Sequence, residues 1–173
     1  MGRTIILTGN RALGKSTVCA AVVDGARRMG YSCAGILTLT NAGGRDVVDA
    51  ATGQRRPLTW SPGQGSVVIQ GRFRFSADAI TWAERVLSRA VPCDLLVVDE
   101  IGPLEMERGE GWVSALDVLR DGLYALALAV VRPGLLLPAR EALRGVQPEV
   151  VAVTRENRAH LPADLLAVLE DEV

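Results

Sequence analysis

Gly9-Asn10-Arg11-Ala12-Leu13-Gly14-Lys15-Ser16-Thr17 fits the pattern G-x-x-x-x-G-K-[ST] of a phosphate-binding loop. The flanks have the structure such a loop needs. Thr4 to Thr8 is apolar and β-branched, which predicts a buried strand. After the loop, Val18, Ala21, Val22, Gly25 and Met29 recur at helical spacing until Gly30 stops them. The two glycines free the backbone to turn its N–H groups inward on an anion. The helix opening at Lys15 adds the positive end of its dipole. In this pattern Gly9 to Thr17 cradle the phosphates, Lys15 reaches the β- and γ-phosphates, and Ser16 offers its hydroxyl to Mg²⁺.

Lys15 is the chain's single lysine; the other 18 cationic side chains are arginine. A compact, flexible point charge stands where a planar fork is not equivalent. The rest of the composition excludes more than it assigns. With 173 residues and 49% hydrophobic content, the chain suits one domain spanning residues 1–173. A net charge of −1 gives no general attraction to nucleic acid or an anionic membrane. No apolar run reaches the roughly 18 residues of a membrane span, and because Met1-Gly2-Arg3 leads directly into the first strand, no signal peptide is expected. Cys19, Cys33 and Cys93 are widely spaced and the chain has one histidine, so a zinc site is not expected. A cytoplasmic protein with reduced thiols is the expectation.

Between residues 33 and 70 the pattern reads as an antiparallel meander attached to the sheet. Its strands are Cys33–Thr40, Asp46–Ala50, an edge piece at Arg55–Trp60 confined there by Pro57, and Ser66–Gln70. Gly71-Arg72-Phe73-Arg74-Phe75 reads as a basic-aromatic loop, either reaching over the site or covering its own two rings. Ser76 caps a helix that presents Ile80, Ala83, Leu87 and Ala90. Further along come a helix marked by Trp112, Leu116 and Leu119, a strand Tyr124–Val131, a short helix Ala139–Arg144, a strand Glu149–Thr154, and a final helix opened by Pro162.

Asp94-Leu95-Leu96-Val97-Val98-Asp99-Glu100 is the second chemical landmark. A fully apolar run predicts a central parallel strand covered on both faces. Sites in α/β sheets lie beyond the carboxyl ends of the strands, so both terminal acids are expected beside the phosphate loop. Asp99 then supports Mg²⁺ together with Ser16. Glu100 is free to deprotonate an attacking water, and with extended geometry its side chain diverges from that of Asp99. Glu105 has two readings, one assisting the water or the metal, the other a helix-capping or surface charge. Arg132, at the end of the next long strand, either contacts the γ-phosphate or pairs with a nearby carboxylate.

The phosphate loop, Val97–Glu105 (Val-Val-Asp-Glu-Ile-Gly-Pro-Leu-Glu) and Val153-Thr154-Arg155-Glu156-Asn157-Arg158 before Leu161-Pro162 together resemble the small P-loop nucleoside-triphosphatases of the cancer-related nucleoside-triphosphatase type. The order matches from about residue 3 to 169, including Ala51-Thr52-Gly53. The resemblance implies an α/β, RecA-like P-loop fold with a mostly parallel central sheet, helices on both faces and a small antiparallel meander. It implies Mg²⁺-dependent hydrolysis of nucleoside 5′-triphosphates, ATP, GTP or others, to diphosphates, slowly and with tolerance of the base. Asn157 and Arg158 match the family motif, as base-site or structural residues. Two features depart from the family: the loop interior carries Arg11 in place of a Pro-Gly pair, and Arg132-Pro133-Gly134-Leu135 lacks the polar groups expected there. The alternatives are a nucleotide or metabolite kinase, with Arg55, Arg56, Arg72 and Arg74 as its only lid candidates, and a nucleotide-switched accessory protein with negligible turnover.

Overall fold

The computed structural model describes residues 2–173. Its main sheet has seven strands in the order β4-β3-β2-β7-β8-β1-β9. These are β1 (Arg3–Thr8), β2 (Cys33–Asn41), β3 (Gly44–Asp49), β4 (Arg55–Pro57), β7 (Cys93–Ile101), β8 (Tyr124–Val131) and β9 (Glu149–Ala152). The five strands from β2 to β9 in that order run parallel, while β3 and β4 are added antiparallel. This is the mostly parallel RecA-like sheet that the resemblance implies.

Helices α1 (Lys15–Arg28), α2 (Ala77–Leu87), α3 (Ser114–Asp121), α4 (Leu136–Ala142) and α5 (Leu161–Glu172) cover both faces. Strand alternation divides the core. Ile6, Ile36, Leu96, Val98, Ala127 and Ala129 point toward α2, α3 and α4. Their neighbours Ile5, Leu7, Leu95, Val97, Leu126 and Leu128 point toward α1 and α5. Burial on both sides explains the unbroken apolar runs of β7 and β8. Among the described residues no helix is long and apolar enough to cross a membrane.

Three details differ from the sequence reading. The buried face of α1 runs through Val18, Cys19, Val22, Val23 and Ala26, whereas Ala21 and Met29 are exposed. Val18, Val22 and Gly25 are buried as expected, and Cys19, Val23 and Ala26 widen the stripe beside them. Second, Val67–Gln70 (β5) does not join the main sheet. It pairs with Phe73–Ser76 (β6) in a separate two-stranded sheet, so the expected basic-aromatic loop is mostly a strand. Two apolar runs separated by Gly71-Arg72 are themselves a hairpin signal. Third, the short helix before β9 begins at Leu136 and ends at Ala142.

The strand order places the chemistry. The phosphate loop leaves the carboxyl end of β1, and the acids lie at the carboxyl end of β7. Between them runs β8, whose end delivers Arg132. The β2–β3 hairpin turns back at the same edge, pairing Thr40 with Arg45.

Candidate active site

The residues from Gly9 to Gly14 form a loop that only this backbone chemistry permits. Gly9 sits at φ 135°, and a Cβ there would stand 2.7 Å from the Val153 carbonyl oxygen. Gly14, the cap of α1, is left-handed at φ 96°. Ala12 also adopts a positive φ of 60°, a conformation that costs a side-chain-bearing residue about 1 kcal/mol or more. Lys15 folds back over the loop and donates from Nζ to the carbonyl oxygens of Gly9 and Asn10, each at 2.7 Å. Burial lowers its pKa, as does the charge of Arg132; the charges of Glu100 and Asp99 oppose them. Lys15, both acids and Arg132 therefore share one electrostatic field.

Asp99 is 0% exposed. Its Oδ2 accepts the Thr38 N–H at 2.9 Å, while Oδ1 has no protein partner. Desolvation pushes its pKa up to about 7, against the opposing pull of the Thr38 N–H and the Ser16 side chain. A buried carboxylate oxygen without a donor, beside a serine hydroxyl, is the donor set of a hard divalent cation. Among the described residues no group of three or more His, Cys, Asp or Glu side chains forms a cage. Mg²⁺ takes most of its ligands from phosphate and water and needs few from protein. The residues present fit the metal.

At Glu100 the structure corrects the sequence reading. Val98 stands opposite Ala129 on β8 and Ile101 opposite Val131, so three steps on β7 match two on β8. This bulge puts Glu100 at φ 74°. Extended geometry does not hold, and simple alternation no longer separates the two acids. Both Asp99 and Glu100 line one cleft of about 890 Å³ with the phosphate loop. Nor is Glu100 free. Its Oε2 accepts from Arg45 Nη1 and its Oε1 from Arg132 Nη2, each at 2.7 Å. Of the two readings for Arg132, the carboxylate partner is the one seen here.

Arg45 was not singled out in the sequence. The available signal was its place directly after the Gly43-Gly44 turn, which returns the chain to the active edge. With it, five cations (Arg11, Lys15, Arg45, Arg55 and Arg132) line the cleft against two acids, Asp99 and Glu100. The guanidinium of Arg11 stacks 5.2 Å from the ring of Phe73. Arg45 and Arg72 approach the same ring at 5.8 and 5.3 Å. The β5–β6 hairpin thus reaches the rim of the phosphate loop, and Phe73 stacks on Phe75 behind it.

The remaining residues of the sequence reading divide. Glu105 accepts the Gly102 N–H at 2.8 Å and the Trp112 N–H at 3.0 Å, tying together both ends of the turn that follows β7. Its geometry is that of a cap. Asn157 accepts the Thr154 N–H and donates to the Ala152 carbonyl, both at 2.8 Å, so its amide is spent on its own turn. Arg158 is exposed and runs beside the loop: a Cβ on Gly14 would lie 3.7 Å from its Cδ. Asn10, Ser16 and Thr17 line the cleft, and Leu13 is half-buried behind the loop. A smaller pocket of about 40 Å³ backs onto Glu100 and Arg132, walled by Leu58, Phe75, Ile80, Leu104 and Trp112.

A profile of the NTPase family matches residues 4–166. The chain belongs to the NTPase family. By family it is a nucleoside-triphosphatase, a nucleotide-binding hydrolase. Among its relatives is a protein named nucleoside-triphosphatase THEP1 in Methanopyrus kandleri, 32% identical over 96% of this chain and 94% of that one. A protein of the same name in Methanosarcina acetivorans is 32% identical over 91% of each chain. The solution structure of a human cancer-related nucleoside triphosphatase superposes with a TM-score of 0.71 at 26% identity, covering 99% of this chain and 100% of that one. THEP1 from Aquifex aeolicus shares the fold, with a TM-score of 0.69 at 21% identity over 96% of this chain and 99% of the other.

Proposed function

We propose that this NTPase-family chain hydrolyses nucleoside 5′-triphosphates to diphosphate and phosphate with Mg²⁺ and little regard for the base. The observation that carries the reading is the bulge after Val98, which brings both carboxylates into the cleft of the phosphate loop. The loop amides and Lys15 hold the triphosphate, with Lys15 exchanging the Gly9 and Asn10 carbonyls for phosphate oxygens. Ser16 and Asp99 would hold the cation, which neutralises charge on the β- and γ-phosphates. Glu100 takes a proton from a water in line with the γ-phosphorus. The water oxygen bonds to phosphorus, the bond to the β-phosphate oxygen breaks, and the proton passes from Glu100 to solvent.

Two observations support hydrolysis with broad base use. The pocket behind Glu100 has room for about three waters, which suits a reaction whose incoming group at that carboxylate is water. On the β9 side of the loop, the Asn157 amide is engaged with its own turn through both Oδ1 and Nδ2, and Arg158 is exposed. A stacking guanidinium tolerates any base, whereas hydrogen-bond readout would select one.

The test is Glu100→Gln, measured by single-turnover hydrolysis beside equilibrium nucleotide binding. Hydrolysis should fall about 10²–10⁴-fold while binding survives. Unchanged hydrolysis would remove Glu100 from the mechanism. Activity persisting after exhaustive EDTA treatment would remove Mg²⁺, and transfer of phosphate to an added acceptor would favour the kinase.

A further inference from the structure

The ion-pair network at Glu100 has the shape of an occupied phosphate site. Each carboxylate oxygen accepts from a different guanidinium, Arg45 from β3 and Arg132 from the end of β8, at 2.7 Å. All three side chains are only about a quarter exposed. They line the cleft that also holds Lys15, Ser16 and Asp99. Arg45 is fixed at its base by its N–H, which donates to Thr59 Oγ1 at 2.9 Å. Its head is fixed by the Phe73 ring, which Arg11 of the phosphate loop shares. The Glu100 carboxylate thus occupies, on the two guanidinium groups, donors that suit two phosphate oxygens equally well.

We propose that Arg45, with Arg132, is a γ-phosphate ligand, and that the pair exchanges Glu100 for the γ-phosphate when a triphosphate binds. This rests on the hydrolase reading of the cleft. A terminal phosphate carries more charge than a carboxylate and has three oxygens instead of two, so it outcompetes Glu100 for planar, multi-donor guanidinium groups. A nucleoside diphosphate has no γ-phosphate and leaves the pair on Glu100. The exchange accomplishes two things at once. It places positive charge where the transition state gathers negative charge, and it releases Glu100 from its arginines to hold the attacking water. Without nucleotide, the base is neutralised. Arg45 is then a catalytic residue that touches the substrate, not a support for Glu100.

The experiment compares affinities for a non-hydrolysable triphosphate analogue and for the diphosphate, with Mg²⁺, in wild type, Glu100→Gln, Arg45→Ala, Arg45→Lys and the Glu100→Gln/Arg45→Ala double variant. Removing the competing carboxylate in Glu100→Gln should tighten the analogue about three- to tenfold and leave the diphosphate unchanged. Arg45→Ala should weaken the analogue about tenfold, again sparing the diphosphate, and should do so in the Glu100→Gln background too. Arg45→Lys, which keeps the charge and the fold, should fall between. An unchanged analogue-to-diphosphate ratio in Glu100→Gln would overturn the exchange. So would equal weakening of both nucleotides by Arg45→Ala, or loss of its effect when Glu100 is already Gln, which would leave Arg45 a structural partner. Single-turnover hydrolysis by Glu100→Gln tests the base independently. Normal hydrolysis with the affinity shift intact would refute the hydrolase mechanism and keep the exchange.

Discussion

Asp99→Asn should stabilise the nucleotide- and metal-free protein while disabling its site, and the size of the gain follows from burial. The Asp99 carboxylate is 0% exposed, and its Oδ1 has no donor. Desolvation, against the Thr38 N–H and the Ser16 side chain, lifts its pKa from 3.8 to about 7. Because the folded pKa lies above the unfolded one, the folded state keeps this proton longer. Stability from this group is therefore highest below about pH 4 and is lost as pH rises toward 7. Roughly three pKa units correspond to about 4 kcal/mol. Asparagine cannot ionise, and its amide oxygen can still accept the Thr38 N–H. The amide's own unsatisfied hydrogens return about 1–2 kcal/mol of that gain. The expected difference is about 1–2 kcal/mol unfavourable at pH 4 and about 2–3 kcal/mol favourable at pH 8, the latter some 5–10 °C in Tm for a chain of this size. Thermal and urea unfolding in EDTA at a series of pH values measures it. With saturating Mg²⁺ and triphosphate the order should reverse, since only wild type gains full ligand stabilisation. A pH-independent difference, or an asparagine variant that melts lower at pH 8 in EDTA, would refute the account of Asp99 as a desolvated, uncompensated charge.

Two further outcomes follow from the same geometry. Lys15→Arg should lose at least tenfold in triphosphate affinity by calorimetry despite keeping its charge, because a planar fork does not fit where Nζ now meets two carbonyls of the loop; near-normal binding would show a looser loop. Glu105→Ala should lower stability by about 2–4 kcal/mol in urea unfolding, since it orphans the N–H groups of Gly102 and Trp112, and Glu105→Gln should recover most of this; a Glu105→Gln variant that folds normally but is as inactive as Glu100→Gln would instead give Glu105 a chemical role.

The glycine-rich loop, with its flanking strand and helix, was legible from the residues alone. Its nine residues, the strand before them and the helix after them are neighbours in the chain, so the pattern is readable without any distant partner. The apolar run ending in Asp99 likewise determined a central strand with acids at its carboxyl end, because a strand without a polar face must be covered on both sides. Other features depended on partners distant in the chain. That Asp99 lacks a donor on one oxygen is set by where Thr38 on β2 lies beside it. The direction of Glu100 was decided by an extra residue on β7 opposite β8, a mismatch that exists only once the two strands pair. Arg45 entered the site because the β2–β3 hairpin folds back to the edge where the loop and acids already lie, and Arg132 because β8 runs between them. Motif chemistry is carried by neighbours in the chain, whereas charge pairing across 32 or 55 residues is fixed by strand order and register, which only the packed sheet decides.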